Sequence, residues 1–169
     1  MKRRIAIKQI GLLAGGFTLI PYGCDISSEL EYSNLTSIKK RKQNLIGQIC
    51  NIILPEDSFN FPTQESRQEF VLIMINNCYT EAEIIKFISG FEFFKNLSSE
   101  TNNIEFEKLS ENNQISFIDT QFNSNSPSLF FLDTLKKYSL LHFESSENYM
   151  SNYLNFEFIP GRYLGNVII

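Results

Sequence analysis

Tryptophan is missing from this 169-residue chain, histidine occurs once, at His142, and cysteine three times. That scarcity removes whole classes of chemistry. No Cys-x-x-Cys and no Cys-x-x-Cys-His is present, which excludes the iron–sulfur, common zinc and c-type haem patterns together. The eight glycines form neither Gly-x-Gly-x-x-Gly nor a Walker loop. His142 lies on an apolar helical stripe, and the sequence flags no partners that would make it a ligand or a base, so it reads as a packed core or rim side chain. The paired carboxylates Glu65 with Glu69 and Glu81 with Glu83 have the spacing of solvated helix faces rather than of an acid/base pair. The chain therefore reads as non-catalytic, with no catalytic, metal or cofactor-binding residue of its own.

Long hydrophobic runs are also lacking. The apolar stretch from Ile10 to Tyr22 is diluted by Gly11, Gly15, Gly16 and Thr18, and it falls short of the roughly 20 residues that a membrane span needs. Behind Lys2, Arg3, Arg4 and Lys8 it reads instead as a secretory signal occupying residues 1–24. Arg3 and Arg4, followed by Ile5, Ala6, Ile7 and Lys8, resemble the twin-arginine consensus, which serves cargo exported in the folded state. Gly23-Cys24 resembles a lipoprotein cleavage site, with Cys24 as the acylated residue. The expected compartment is the periplasm, with an optional membrane anchor.

Positive charge is scarce beyond the signal. The whole chain carries −4; four of its fifteen basic residues and none of its nineteen acidic ones precede Cys24, which leaves the remainder at −8. Nucleic-acid binding, which needs clustered cations, is disfavoured. The run Lys39, Lys40, Arg41 and Lys42 reads as a solvated lead-in to a helix. Cys50 and Cys78 are open to two readings, a disulfide or two free thiols, because spacing along a chain does not fix the distance between Cα atoms.

What is present is helical periodicity. Residues 25–41 read as a polar tether, and 42–169 as a single helical domain. Leu45, Ile46, Ile49, Ile52 and Ile53 recur at helical spacing and stop before Pro55, which cannot continue the hydrogen-bond ladder. A loop from Glu56 to Gln64 follows. A second helix, from about Glu65 to Asn77, carries the stripe Phe70, Ile73, Met74 and Cys78. Thr80 and Glu83 form a capping box that opens a third helix with Ile84, Phe87, Ile88, Phe91 and Phe94, running to about Leu97 before a polar turn at Ser98–Asn103. Ser110 opens a shorter helix bearing Ile115, Phe117, Ile118 and Phe122. Ser126 and Pro127 start the last one, with Phe131, Leu135, Tyr138 and His142 along its stripe. No alternating strand pattern occurs. The expectation is all-α: a small bundle of about five helices, with sixteen phenylalanines filling its core.

From Phe143 onward the helical pattern stops. Tyr149, Tyr153, Phe156, Phe158 and Tyr163 follow no amphipathic period, and Pro160-Gly161 suits a type II turn. This stretch reads as an irregular aromatic tail, of the kind that lies on its own bundle or on a partner.

The twin-arginine leader, Ile52-Ile53-Leu54-Pro55-Glu56, Phe70-Val71, Asn77-Cys78-Tyr79, Gly90-Phe91, Phe106 to Ser110, Ser146-Glu147 and the closing Ile159-Pro160-Gly161-Arg162-Tyr163-Leu164-Gly165 occur in an order that resembles the small (gamma, or third) subunit family of gluconate 2-dehydrogenase. Two positions depart from the family pattern. The loop after Glu56 lacks a Thr-Pro-Gly-Ala-like run, and Asn148 stands where a glycine commonly follows the Ser-Glu pair. The resemblance implies a stabilising partner and export escort for an FAD-bearing large subunit of the glucose–methanol–choline type, often joined by a multihaem cytochrome c. The complex would oxidise a sugar or sugar acid in the periplasm. Arg3 and Arg4 would engage the twin-arginine translocase for both subunits, Cys24 would anchor, and Ser146, Glu147, Pro160, Gly161, Tyr163 and Gly165 would shape the partner-facing tail. The competing expectation is a stand-alone periplasmic lipoprotein that binds a small ligand in its aromatic core.

Overall fold

A computed structural model describes residues 32–154, 156 and 157. Arg3, Arg4, Cys24, Pro160, Gly161, Tyr163 and Gly165 lie outside the described residues. Six α-helices succeed one another within them: α1 Lys40–Ile53, α2 Arg67–Cys78, α3 Glu81–Asn102, α4 Glu111–Phe122, α5 Ser128–Glu144 and α6 Glu147–Tyr153, with a 3-10 turn at Phe106–Lys108 between α3 and α4. The all-α expectation holds. The organising element is α5, which packs against each of the other five helices.

Local chemistry sets most boundaries. The Thr80–Glu83 capping box forms as its spacing predicts, the threonine hydroxyl accepting from the Glu83 amide while the carboxylate accepts from the Thr80 amide. Ser66 and Glu69 make a second box that opens α2. Pro127 takes helical angles, φ −57° and ψ −23°, immediately ahead of α5, and α1 ends before Pro55. At the far end of α3 the residues expected as a polar turn are helical as far as Asn102. Asn102 Nδ2 donates back to the Ser98 carbonyl at 3.0 Å, and Asn103 closes the helix in the left-handed region at φ 57°, which asparagine tolerates better than most residues.

The core is built around phenylalanine. Phe87, Phe91, Phe94, Phe106 and Phe131 are fully buried, and Phe94 meets Phe106 and Phe117 at 5.2 Å and Phe131 at 5.7 Å, in tilted or edge-on geometries favoured by the ring quadrupole. Helices α3 and α5 can approach this closely because Gly90 has no side chain. A Cβ there would stand 2.8 Å from the Pro127 carbonyl oxygen.

Three expectations change. The stretch 32–38, expected as tether, buries Tyr32, Leu35 and Ile38 against the core. Asn34 pins it to the end of α2, its amide donating to Asn76 Oδ1 at 2.9 Å and its Nδ2 to the Asn76 carbonyl at 2.8 Å. On α2 the buried face is Val71, Leu72 and Ile75 rather than Phe70, Ile73, Met74 and Cys78, because six consecutive apolar residues, Phe70 to Ile75, leave periodicity nothing to distinguish. The tail is not irregular throughout, since Glu147–Tyr153 forms α6, which has no buried residue and hence no stripe to reveal it. The two thiols of the domain are free, Cys50 buried and Cys78 exposed.

Candidate partner interface

Beyond the phenylalanine core, the loop between α1 and α2, the end of α5 and α6 meet in a second aromatic group. Phe61 in the loop lies 4.7 Å from Phe143, Phe143 lies 5.0 Å from Tyr149, and Tyr149 stacks on Tyr153 at 5.3 Å and 19°. This group is not closed over. Phe59 is 92% exposed, Tyr153 65%, Leu154 58% and Phe156 46%. The Phe156 amide donates to the Met150 carbonyl at 3.0 Å, folding the chain after α6 back onto that helix. Large apolar side chains held out to solvent by a rigid base are the usual mark of a binding surface.

Buried polar groups position the loop that carries Phe59. Arg67, only 3% exposed, donates from Nη1 to the Leu54 carbonyl at the start of the loop. Burial lowers its pKa, and Glu56 and Cys50 nearby oppose that shift. His142 Nε2 lies 3.1 Å from the Glu65 carbonyl at the other end of the loop. A carbonyl can only accept, so Nε2 carries the proton, and the ring packs on Phe70 at 5.2 Å. Asn148, where the resemblance predicts a glycine, donates from Nδ2 to the Asn60 carbonyl at 2.5 Å and ties the middle of the loop to α6. Cys50 lies within the same buried seam, where burial pushes its thiol up to about 12 while Ser139 and Arg67 pull the other way. A thiol so held is protonated and unreactive.

Of the two expected partner-facing residues that can be placed, Glu147 is exposed in the first turn of α6. Ser146 is buried and turns its hydroxyl inward to the Phe143 carbonyl at 2.8 Å, shaping the corner between α5 and α6. Phe59 escaped the sequence reading because an isolated phenylalanine in an aperiodic loop carries no pattern. Arg67 escaped it because an arginine beside a cap reads as solvated.

Elsewhere an open groove of about 520 Å³ runs between α1, α4 and α5, lined by Ile52, Ile53, Ile115, Ile118 and Phe122 together with Asp119, Asp133 and Lys136. Among the described residues no group of three or more His, Cys, Asp or Glu side chains is placed to hold a metal ion. No helix there is long and apolar enough to cross a membrane.

These features define a small helical domain whose distinguishing surface is aromatic and whose polar machinery serves to hold that surface in place. The sequence profile of the gluconate 2-dehydrogenase subunit 3 family matches residues 40–161. The chain belongs to that family, and so to a subunit of a dehydrogenase complex. No curated protein and no solved structure matches it.

Proposed function

We propose that the chain is a non-catalytic accessory subunit of a periplasmic flavin-dependent sugar or sugar-acid dehydrogenase, acting as twin-arginine export escort and stabilising partner of an FAD-bearing large subunit of the glucose–methanol–choline type. Membership of a dehydrogenase-subunit family over residues 40–161 carries this reading. The open aromatic surface at Phe59, Tyr153, Leu154 and Phe156 supports it, because those side chains gain from burial that the described residues do not give them. The leader supplies the rest. A flavoprotein loaded with its cofactor in the cytoplasm must cross the membrane folded, and Arg3 and Arg4 on a bound companion meet that need. A multihaem cytochrome c would take the electrons, and acylation of Cys24 would keep the complex at the membrane.

Replacing Arg3 and Arg4 by lysine tests the escort role. The expected outcome is flavin dehydrogenase activity retained in the cytoplasm and lost from the periplasm; unchanged periplasmic activity counts against it. The competing reading, a stand-alone lipoprotein with a small ligand in its aromatic core, would find its space in the groove beside Phe122, which lies apart from the rings that meet at Phe94. A mature chain that purifies as a stable monomer, with no flavoprotein attached, would favour it.

A further inference from the structure

The apolar residues of the interface sit among charges of one sign. Residues 54–66 and 143–157, which together build it, contain no lysine and no arginine. Glu56, Asp57, Glu144, Glu147 and Glu157 are exposed in those segments, and Glu65 is half-buried. The nearest cation in sequence, Arg67, is turned inward to the Leu54 carbonyl. The ion pairs among the described residues join Arg41, Lys42, Lys95 and Lys108 to Glu92, Glu105 and Glu107 on the side of α1, α3 and the 3-10 turn, and none of them involves Glu56, Asp57, Glu65, Glu144 or Glu147. Four cations of the domain are paired away from the aromatic surface, and the two segments that build it carry six carboxylates and no cation of their own.

That arrangement selects among occupants. A second copy of this chain meeting the patch through a two-fold axis would set carboxylates against carboxylates, which costs several kcal/mol per close like-charge contact. A bilayer of anionic lipids would be repelled for the same reason. A protein surface with an apolar depression ringed by lysine and arginine satisfies both halves of the patch at once. It buries Phe59, Tyr153, Leu154 and Phe156, and its cations meet Glu56, Glu144 and Glu147 at the rim. We infer that the flavoprotein subunit presents such a basic-rimmed apolar depression, and that the acidic rim on this chain steers the two together and excludes self-association. This inference rests on the accessory-subunit reading and adds the chemistry of the contact.

The full chain and a purified FAD-bearing large subunit of the glucose–methanol–choline type give the test, with affinity measured by biolayer interferometry at 50 and 500 mM NaCl. Binding of the wild-type chain should weaken by about tenfold or more at the higher salt, as expected when rim charges steer association. Glu144→Lys with Glu147→Lys should weaken binding by about tenfold at low salt and abolish most of the salt dependence. Glu56→Lys, which leaves α6 untouched, should act in the same direction. Phe59→Ala with Tyr153→Ala should weaken binding equally at both salts. Tight binding indifferent to salt and to the lysine variants overturns the inference and leaves the accessory role standing. So does sedimentation of the wild-type chain as a dimer that those variants disrupt, or retention on phosphatidylglycerol vesicles that Phe59→Ala with Tyr153→Ala abolishes. Failure of the wild-type chain to bind the flavoprotein at any salt overturns the accessory role itself, and the inference with it.

Discussion

Two aromatic clusters occupy opposite roles in this domain. Around Phe94, rings from α3, α4, α5 and the 3-10 turn close on one another and exclude water. Around Phe143, rings from the loop, α5 and α6 meet in tilted and stacked geometries, yet Phe59, Tyr153, Leu154 and Phe156 stay in solvent. Both are built from aromatic rings, phenylalanine alone in the first and phenylalanine with tyrosine in the second. The difference lies in what surrounds them: long helices with matching stripes in the first case, a loop and a seven-residue helix in the second. Such short elements cannot cover an aromatic surface from every side, so among the described residues the second cluster stays open.

The sharpest way to break the comparison is to truncate one ring of each kind. Phe94→Ala removes a buried ring that touches three others and should lower unfolding free energy by about 3–5 kcal/mol in urea titrations. Phe59→Ala, at a site almost fully exposed, should change it by less than about 0.5 kcal/mol while weakening partner binding. Equal losses would mean that the two clusters do the same job. Next in size is Gly90→Ala. Its Cβ would meet the Pro127 carbonyl, backbone that cannot swing aside, so α3 and α5 must separate at about 1–3 kcal/mol, with a matching fall in thermal midpoint.

His142→Leu separates the clusters in another way. It keeps the bulk against Phe70 but removes the bond to Glu65, at about 1–3 kcal/mol. Hydrogen exchange should quicken across residues 55–66 and leave α3 unchanged; uniform quickening would mean that the histidine supports the core rather than the loop.

The smallest effect is acid sensitivity. The Thr80 amide and hydroxyl hold the Glu83 carboxyl below its ordinary range, and Lys108 and Arg41 do the same for Glu105. Burial alone would raise Glu92, but Lys42 and Lys95 bring it down. Carboxyls whose folded pKa is depressed contribute stability above their ordinary value and lose it as pH falls through the folded one. Urea midpoints should therefore be level near neutrality and decline below about pH 4.5, and Glu83→Gln should flatten that decline. These three carboxylates lie outside the interface, but Asp57, held below its ordinary range by the side chain and amide of Asn60, lies in the loop that carries Phe59, so acid should loosen the bundle and that loop together.

Much of the bundle was legible from local rules. The capping box at Thr80, Pro127 ahead of α5, the stop before Pro55 and the stripes of α1, α3 and α5 all act within a few residues of chain, where hydrogen-bond geometry and a 3.6-residue period leave little choice. On α5 every residue of the expected stripe is buried, His142 included. Prediction weakened where composition was uniform. Helix α4 expresses this in reverse: Ile115 is exposed while Gln114 is buried and donates to the Phe106 carbonyl at 2.9 Å, a bond that needs a 3-10 turn supplied from elsewhere in the chain.

By itself, then, the sequence determined the first five helices of the described residues, most of their ends, the phenylalanine filling and the family, because each depends on residue order over short or fixed spacings. Only the tertiary structure decided which face of α2 turns inward, that Tyr32, Leu35 and Ile38 join the core, and that Arg67, His142 and Asn148 hold up a loop whose phenylalanine faces out. Those outcomes depend on which surfaces meet across forty to ninety residues of chain, and burial is a property of the meeting rather than of the residue.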